Sequence, residues 1–206
     1  MKFWKKLFGK NGTKDVQKPS EQSKDFEQLS ETEKLHNVAK LIKMEAEDGN
    51  AEEQYNLGMM FATGKGPYGH GTYTKDIGQA KKWLEKSAAQ NYIPSIVELA
   101  MLYGSGEGLK EDPKKAHELF LQAANLNDPF SQYVVGLNLF NGNGVEVDIN
   151  EAVQWYLKAA KQGENHAQFE MGMICEIGGD IESARKWYTK SANQGNENAK
   201  QKLNEL

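Results

Sequence analysis

Gly136-Leu137-Asn138-Leu139-Phe140-Asn141-Gly142-Asn143-Gly144-Val145-Glu146-Val147-Asp148-Ile149-Asn150-Glu151-Ala152-Val153-Gln154-Trp155-Tyr156-Leu157-Lys158-Ala159-Ala160 decides the fold, because the chain says it more than once. A copy upstream reads Ala100, Tyr103, Gly106-Glu107-Gly108-Leu109, Asp112, Ala116, Leu119-Phe120, Ala123-Ala124. The first copy reads Gly58, Phe61, Gly64-Lys65-Gly66, Asp76, Ala80, Trp83-Leu84, Ala88-Ala89, and the last Gly172, Cys175, Gly178, Asp180, Ala184, Trp187-Tyr188, Ser191-Ala192. Ala100, Gly136 and Gly172 lie 36 residues apart, a period that marks a stacked array in which each unit buries its apolar face only against its neighbours. Such an array presents surface rather than a catalytic cleft. With Pro scarce and Glu, Lys, Ala, Leu, Asn and Gln abundant, the body is expected to be all helical.

Each repeat divides into two helices with definite jobs. The small residue Gly58, Ala100, Gly136 or Gly172, preceded by Leu57, Leu99, Val135 or Met171, lets the second helix approach the first closely. A Gly-x-Gly turn, whose glycines can take positive φ, ends the first helix. Asp76, Asp112, Asp148 and Asp180 stand four residues before an alanine, which is N-cap spacing for the second helix; Gln79 and Glu151 are expected to complete capping boxes. The aromatic pairs recur in step with the small residues and mark interlayer core rather than a ligand cage. Second helices are expected to end at Asn91, Asn127, Gly163 and Gly195, residue types that tolerate a left-handed cap. Ser30 and Glu33 form an S-x-x-E capping box opening an orphan helix that ends at Gly49. The expected organisation is a basic segment and linker over 1–29, a capping helix over 30–50, repeats over 51–92, 93–128, 129–164 and 165–196, and a C-terminal cap over 197–206.

Charge and cysteine content exclude whole classes of function. The formal charge is −4, and setting aside Lys2, Lys5, Lys6, Lys10 and Lys14 leaves −9 on the rest. With Arg185 the only arginine, no nucleic-acid partner is expected. Cys175 is the single cysteine, so packing alone must hold the array, which suits a reducing, cytoplasmic setting. At the start, Phe3, Trp4, Leu7 and Phe8 share a helical face with Lys5 and Lys6 beside them, a pattern for weak peripheral contact with an anionic membrane face; a tail with a few apolar residues, or a helix docking in a partner's groove, are the alternatives.

The small residue in an apolar helix, Gly-x-Gly, Asp, Ala, Trp-Tyr and Ala-Ala together resemble the Sel1-like repeat family, relatives of the tetratricopeptide repeat, over about residues 31–206. The resemblance implies an all-α, right-handed solenoid of antiparallel helix pairs, and a monomeric adaptor or scaffold that binds a protein. It also implies two alternatives: an immunity protein neutralising a bacterial toxin, for which an acidic body suits a basic partner, and a β-lactam-binding hydrolase. The chain lacks the paired cysteines of that last subgroup. In an array curved like tetratricopeptide proteins, the first helices line the concave side, which places Tyr55, Met59, Met101, Phe130, Tyr133, Phe140, His166, Phe169 and Glu176 in a groove suited to an apolar peptide. Pro67 to Tyr73 form an insertion in the first copy, and Tyr68, His70 and Tyr73 give it the character of a contact loop; the fourth copy lacks four residues after Gly178. No cofactor, metal or catalysis is expected: His36, His70, His117 and His166 fall at unrelated register positions, His117 is expected to be solvated, and Cys175 occupies an apolar position.

Overall fold

The computed structural model describes residues 29–206; the basic aromatic segment singled out at residues 1–10 lies outside them. Among the described residues there are ten α-helices: α1 (Glu31–Glu47), α2 (Ala51–Thr63), α3 (Ile77–Ala88), α4 (Ile93–Ser105), α5 (Pro113–Asn125), α6 (Pro129–Asn141), α7 (Ile149–Lys161), α8 (Asn165–Ile177), α9 (Ile181–Asn193) and α10 (Glu197–Glu205). Each packs on the next in chain order, so that α2/α3, α4/α5, α6/α7 and α8/α9 are the four repeats, between α1 and α10. The fold is an all-α solenoid of antiparallel helix pairs.

Backbone geometry sets the helix boundaries as the residue types require. The side chains of Asp76, Asp112, Asp148 and Asp180 accept from the backbone N–H of Gln79, Lys115, Glu151 and Ser183 at 2.9, 2.9, 2.9 and 3.0 Å. The reciprocal capping box closes at α1, where Ser30 N–H donates to Glu33 at 2.9 Å. The box expected at Glu151 is not made, because its carboxylate accepts the Trp155 indole N–H at 3.1 Å instead; at Asp76 the aspartate acceptance from Gln79 is the cap. Asn91 and Asn127 adopt φ of 60° and 69° at the ends of their helices, matching Gly163 and Gly195.

A further bond keeps all four repeats in register whatever their turn length. The N–H of each capping aspartate donates to the carbonyl of Phe61, Tyr103, Leu139 or Cys175 at 2.9–3.0 Å. The insertion of the first copy therefore bulges from an unchanged clasp. One consequence corrects the expectation for the turns: Gly66 has φ −69° and starts a 3-10 turn over Pro67–Gly69. Glycine is needed there for room, since a Cβ would sit 2.3 Å from the His70 carbonyl oxygen.

Packing follows the same period. A Cβ added at Gly58, Gly136 or Gly172 would lie 2.9, 2.8 or 2.5 Å from Leu84, Tyr156 or Tyr188, so the small residue is what admits the large side chain of the second helix. Leu84 and Tyr188 are fully buried, and burying a leucine contributes about 1.5–3 kcal/mol. A Lys ammonium lies over the ring face at each of these tryptophan sites, Lys86 on Trp83, Lys158 on Trp155 and Lys190 on Trp187, 3.9–4.3 Å from the ring centroids. His117 is buried rather than solvated; its Nδ1 lies 3.4 Å from Asn138 Nδ2, and burial holds its pKa below the usual imidazole value.

Glutamine pairs, one member buried and the other exposed, link the repeats. In the first repeat Gln54 Nε2 donates to Ala46 O at 3.0 Å and Gln90 Nε2 to Gln54 Oε1 at 2.9 Å. The third repeats this with Gln132 to Ala124 O and Gln162 to Gln132, and the fourth with Gln168 to Ala160 O and Gln194 to Gln168. In the second repeat the matching positions are Ile96, fully buried, and Leu126.

Serines show a similar substitution left half-finished. Ser95 Oγ donates to Ser87 Oγ at 2.7 Å, which donates to Ala51 O at 2.6 Å. One repeat later Ser131 faces a position occupied by Ala123, and its fully buried hydroxyl has no hydrogen-bond partner. Ser131→Ala should therefore leave stability unchanged or raise it by up to about 1–3 kcal/mol, whereas Ser95→Ala should lower it by about 1 kcal/mol. Urea melts of the two variants check this; a Ser131→Ala loss equal to that of Ser95→Ala would show that Ser131 is bonded.

Candidate protein-binding groove

The first helices α2, α4, α6 and α8 carry the expected groove residues with unequal freedom. Met101, Phe130 and Phe140 are large apolar side chains left 50%, 41% and 51% exposed. Phe130 meets Phe120 edge-on at 6.3 Å between centroids, which fixes its base while leaving its outer face free. Tyr55, Met59, Tyr133 and Phe169 are half-buried and belong partly to the core. Tyr133 stacks on His166 at 5.4 Å and tilts against Tyr156 at 5.9 Å, so these three residues come together across α6, α7 and α8. His166 Nδ1 lies 3.0 Å from Glu164 Oε1.

Glu176 is committed to the fold. It accepts the Tyr188 hydroxyl at 2.6 Å and the Lys202 ammonium at 3.2 Å, ties α8 to α9 and α10, and has its pKa lowered chiefly by the Tyr188 bond. Phe169 tilts against Tyr188 at 5.6 Å beneath it.

The inserted loop is also more structural than its composition suggested. Tyr73 packs edge-on against Phe61 at 5.1 Å, and Gly71 lies against Leu35 of α1. Gly66 N–H donates to Gly71 O and Tyr73 N–H to Gly64 O, so the loop closes on itself. His70 is exposed, and the side chain of Tyr68 lies outside the described residues. Together the loop, α1 and α2 enclose a cleft of about 240 Å³ whose walls include Ile42, Tyr55, Met59 and Gly66.

Two features were not foreseen from the residues. Glu98 on α4 and Glu170 on α8 are half-buried carboxylates with no hydrogen bond or ion pair among the described residues, and burial pushes the pKa of each above the usual carboxylate value. Their signal in the sequence is an acid at the sixth position of an apolar first helix, where the other repeats carry Asn56 and Val134. The second feature is an apolar edge at the shortened turn, where Val147, Ile149, Ile177 and Ile181 are exposed. In earlier repeats the opening residue of the second helix, Ile77 or Pro113, is covered by Gly108 or Gly144 of the next turn. The fourth copy has no such glycine, and Ile149 is left uncovered.

Among the described residues, no group of His, Cys, Asp and Glu could hold a metal ion, and no helix is long and apolar enough to cross a membrane. Cys175 is half-buried, with its thiol pKa raised by burial and by Asp180, which favours the thiol over the thiolate.

Comparison with known proteins agrees with this architecture. The Sel1 repeat model matches residues 54–92, 93–128, 129–164 and 165–196, and the chain belongs to the Sel1 repeat family. A protective antigen of uropathogenic Escherichia coli with an SLR fold is 35% identical, with a TM-score of 0.71 over 78% of this chain and 34% of that one. A Sel1 repeat protein from Oxalobacter formigenes is 33% identical, with a TM-score of 0.70 over 80% of this chain and 66% of that one. Among curated proteins, chitin synthase regulatory factor 3 of Schizosaccharomyces pombe is 33% identical over 49% of this chain. The chain spans 11% of that protein's length, and 20% and 24% of two other curated relatives. Sel1 repeat proteins are generally protein-interaction modules.

Proposed function

We propose that this chain is a non-catalytic adaptor that holds a protein partner along α2, α4, α6 and α8. The observation that carries the reading is the exposure of Met101, Phe130 and Phe140, large apolar side chains left outward on α4 and α6, whose other apolar residues are buried or half-buried. Aromatic anchors on a rigid scaffold lose little entropy on binding, and a Met beside them adapts to the partner's shape. A toxin neutralised by this chain would be one instance of such a partner, and the acidic body suits a basic one.

Photo-crosslinking tests the surface directly. A benzophenone amino acid at Phe130 or Met101 should capture a discrete partner in the native cell, while one at Gln154, exposed on α7, should not. Met101→Ser with Phe130→Ala should then weaken that partner's binding at least about tenfold, the loss expected from truncating central anchors. Capture from Gln154 and none from α4 or α6 would move the binding surface to the other face.

A further inference from the structure

We infer that the groove recognises a basic segment through two copies of one carboxylate–aromatic pocket, Glu98 with Tyr55 and Tyr92, and Glu170 with Tyr133 and His166, each receiving a lysine or arginine side chain. The inference rests on the groove reading above and names the chemistry of its occupant.

The two pockets are equivalent by repeat position. Each pairs the tyrosine at the fifth position of one first helix, Tyr55 or Tyr133, with the glutamate at the sixth position of the next, Glu98 or Glu170. In each a second ring flanks the tyrosine, Tyr92 at 5.7 Å from Tyr55 and His166 at 5.4 Å from Tyr133. Burial is the main cause that raises the pKa of Tyr55, Tyr133 and Tyr156, and the charge of Glu98 on the first and of Glu170 on the other two adds to it. The repeats between and before them carry Val134 and Asn56 at the glutamate position, so the pattern appears twice, two repeats apart.

Neither carboxylate is used by the fold. Among the described residues Glu98 and Glu170 accept no hydrogen bond and form no ion pair, unlike Glu176, Glu151 or Glu33, each of which has a defined partner. The one cationisable group whose charge acts on Glu170 is His166, and it already faces Glu164 at 3.0 Å. Around the first pocket Glu52 and Glu53 add negative charge beside Tyr92. A half-buried, uncompensated carboxylate is costly in the free protein, and an incoming ammonium or guanidinium recovers that cost while stacking on the ring beside it. The chain's own lysines show that aromatic faces in this scaffold take such cations, as Lys81 does over Tyr103 at 5.4 Å. Helix layers pack about 8–10 Å apart, so two repeats separate the pockets by on the order of 20 Å. An extended segment crosses that distance in about six residues at roughly 3.3–3.6 Å each, and its apolar side chains would meet Met101 and Phe130 between the pockets.

The test uses the full chain and fluorescein-labelled twelve-residue peptides, each with two arginines six residues apart and Leu or Phe between them. Matched peptides carry glutamine in place of both arginines. The dicationic peptides should bind at least about tenfold more tightly than the neutral ones and weaken as salt is raised. E98Q and E170Q, tested singly, should each lose most of that preference, and both together all of it. Carbon-13 carboxyl shifts should report a fall in the pKa of Glu98 and Glu170 when peptide binds, a change that a purely structural glutamate would not show. Equal binding of dicationic and neutral peptides, no binding of either, or wild-type preference in E98Q and E170Q would overturn the inference. A partner captured through Phe130 that binds both glutamine variants normally would overturn it while leaving the groove assignment standing; failure of capture at Phe130 would remove the groove assignment itself.

Discussion

Gly144→Ala should lower the stability of the array by about 2–5 kcal/mol. Two costs add at this position. Gly144 has φ +70°, which costs a residue with a Cβ about 1–2 kcal/mol. Its Cβ would also lie 2.1 Å from the Pro113 carbonyl oxygen and 2.7 Å from Lys114 N, and backbone of a neighbouring repeat cannot step aside as a side chain can; overpacking of this kind costs about 1–3 kcal/mol. Gly179→Ala is the control, because Gly179 has φ +79° with no atom within 4 Å of a Cβ, and should show the first cost alone. Urea unfolding of both variants separates the terms. Equal losses would mean that the close approach between the second and third repeats is not a constraint.

Gln132→Ile should cost about 1–3 kcal/mol, because it removes the hydrogen bond to the Ala124 carbonyl, which keeps the Asn127 N–H at 3.0 Å, and the one accepted from the Gln162 amide. The double variant Gln132→Ile, Gln162→Leu reproduces the pair that the second repeat uses at Ile96 and Leu126, and should recover most of that loss. A double-mutant cycle measures the coupling directly, expected at about 1 kcal/mol or more. Simple additivity would show that the two glutamines act independently and that the resemblance to the second repeat is incidental.

Much of the fold was legible because the period states each constraint several times. Four aspartates at one register position identify a cap where one would not, and three glycines opposite Leu84, Tyr156 and Tyr188 identify a close approach. What escaped reading depends on neighbours that sequence spacing does not reveal. The burial of His117 is not legible in its spacing, because an exposed and a buried histidine look alike on a helix, and its position beside Asn138 separates them. Glu151 looked like a capping-box residue, yet the Trp155 indole competes for it with a donor one turn away. Within the candidate groove, Met101, Phe130 and Phe140 are visible in the sequence as apolar residues on the inner register, whereas the burial of Glu98 and Glu170 is not. A glutamate in an amphipathic helix ordinarily marks the solvated face, and its burial emerges only when two repeats stack. Glu176 shows the converse: its register is that of the groove, and its bonds to the Tyr188 hydroxyl and the Lys202 ammonium emerge only when α9 and α10 pack on α8.

The glutamine relay also sets how the molecule yields to force. An amide hydrogen bond holds direction as well as distance, so the relays at Gln54–Gln90, Gln132–Gln162 and Gln168–Gln194 resist sliding of one helix pair past the one before. At the second repeat, contact through Ile96 and Leu126 is non-directional, and the directional contacts to the repeat before run through the Ser95–Ser87 bond, between hydroxyls that can rotate, the exposed Gln122–Asn91 bond at 3.4 Å and the exposed Lys75–Glu107 pair at 3.2 Å, which hold less firmly than a glutamine relay. Regarded as a spring, the array has stiff coils at both ends and one compliant coil, the second. A partner that pulls on the two ends would change the pitch there first, with the third and fourth coils turning together as a unit.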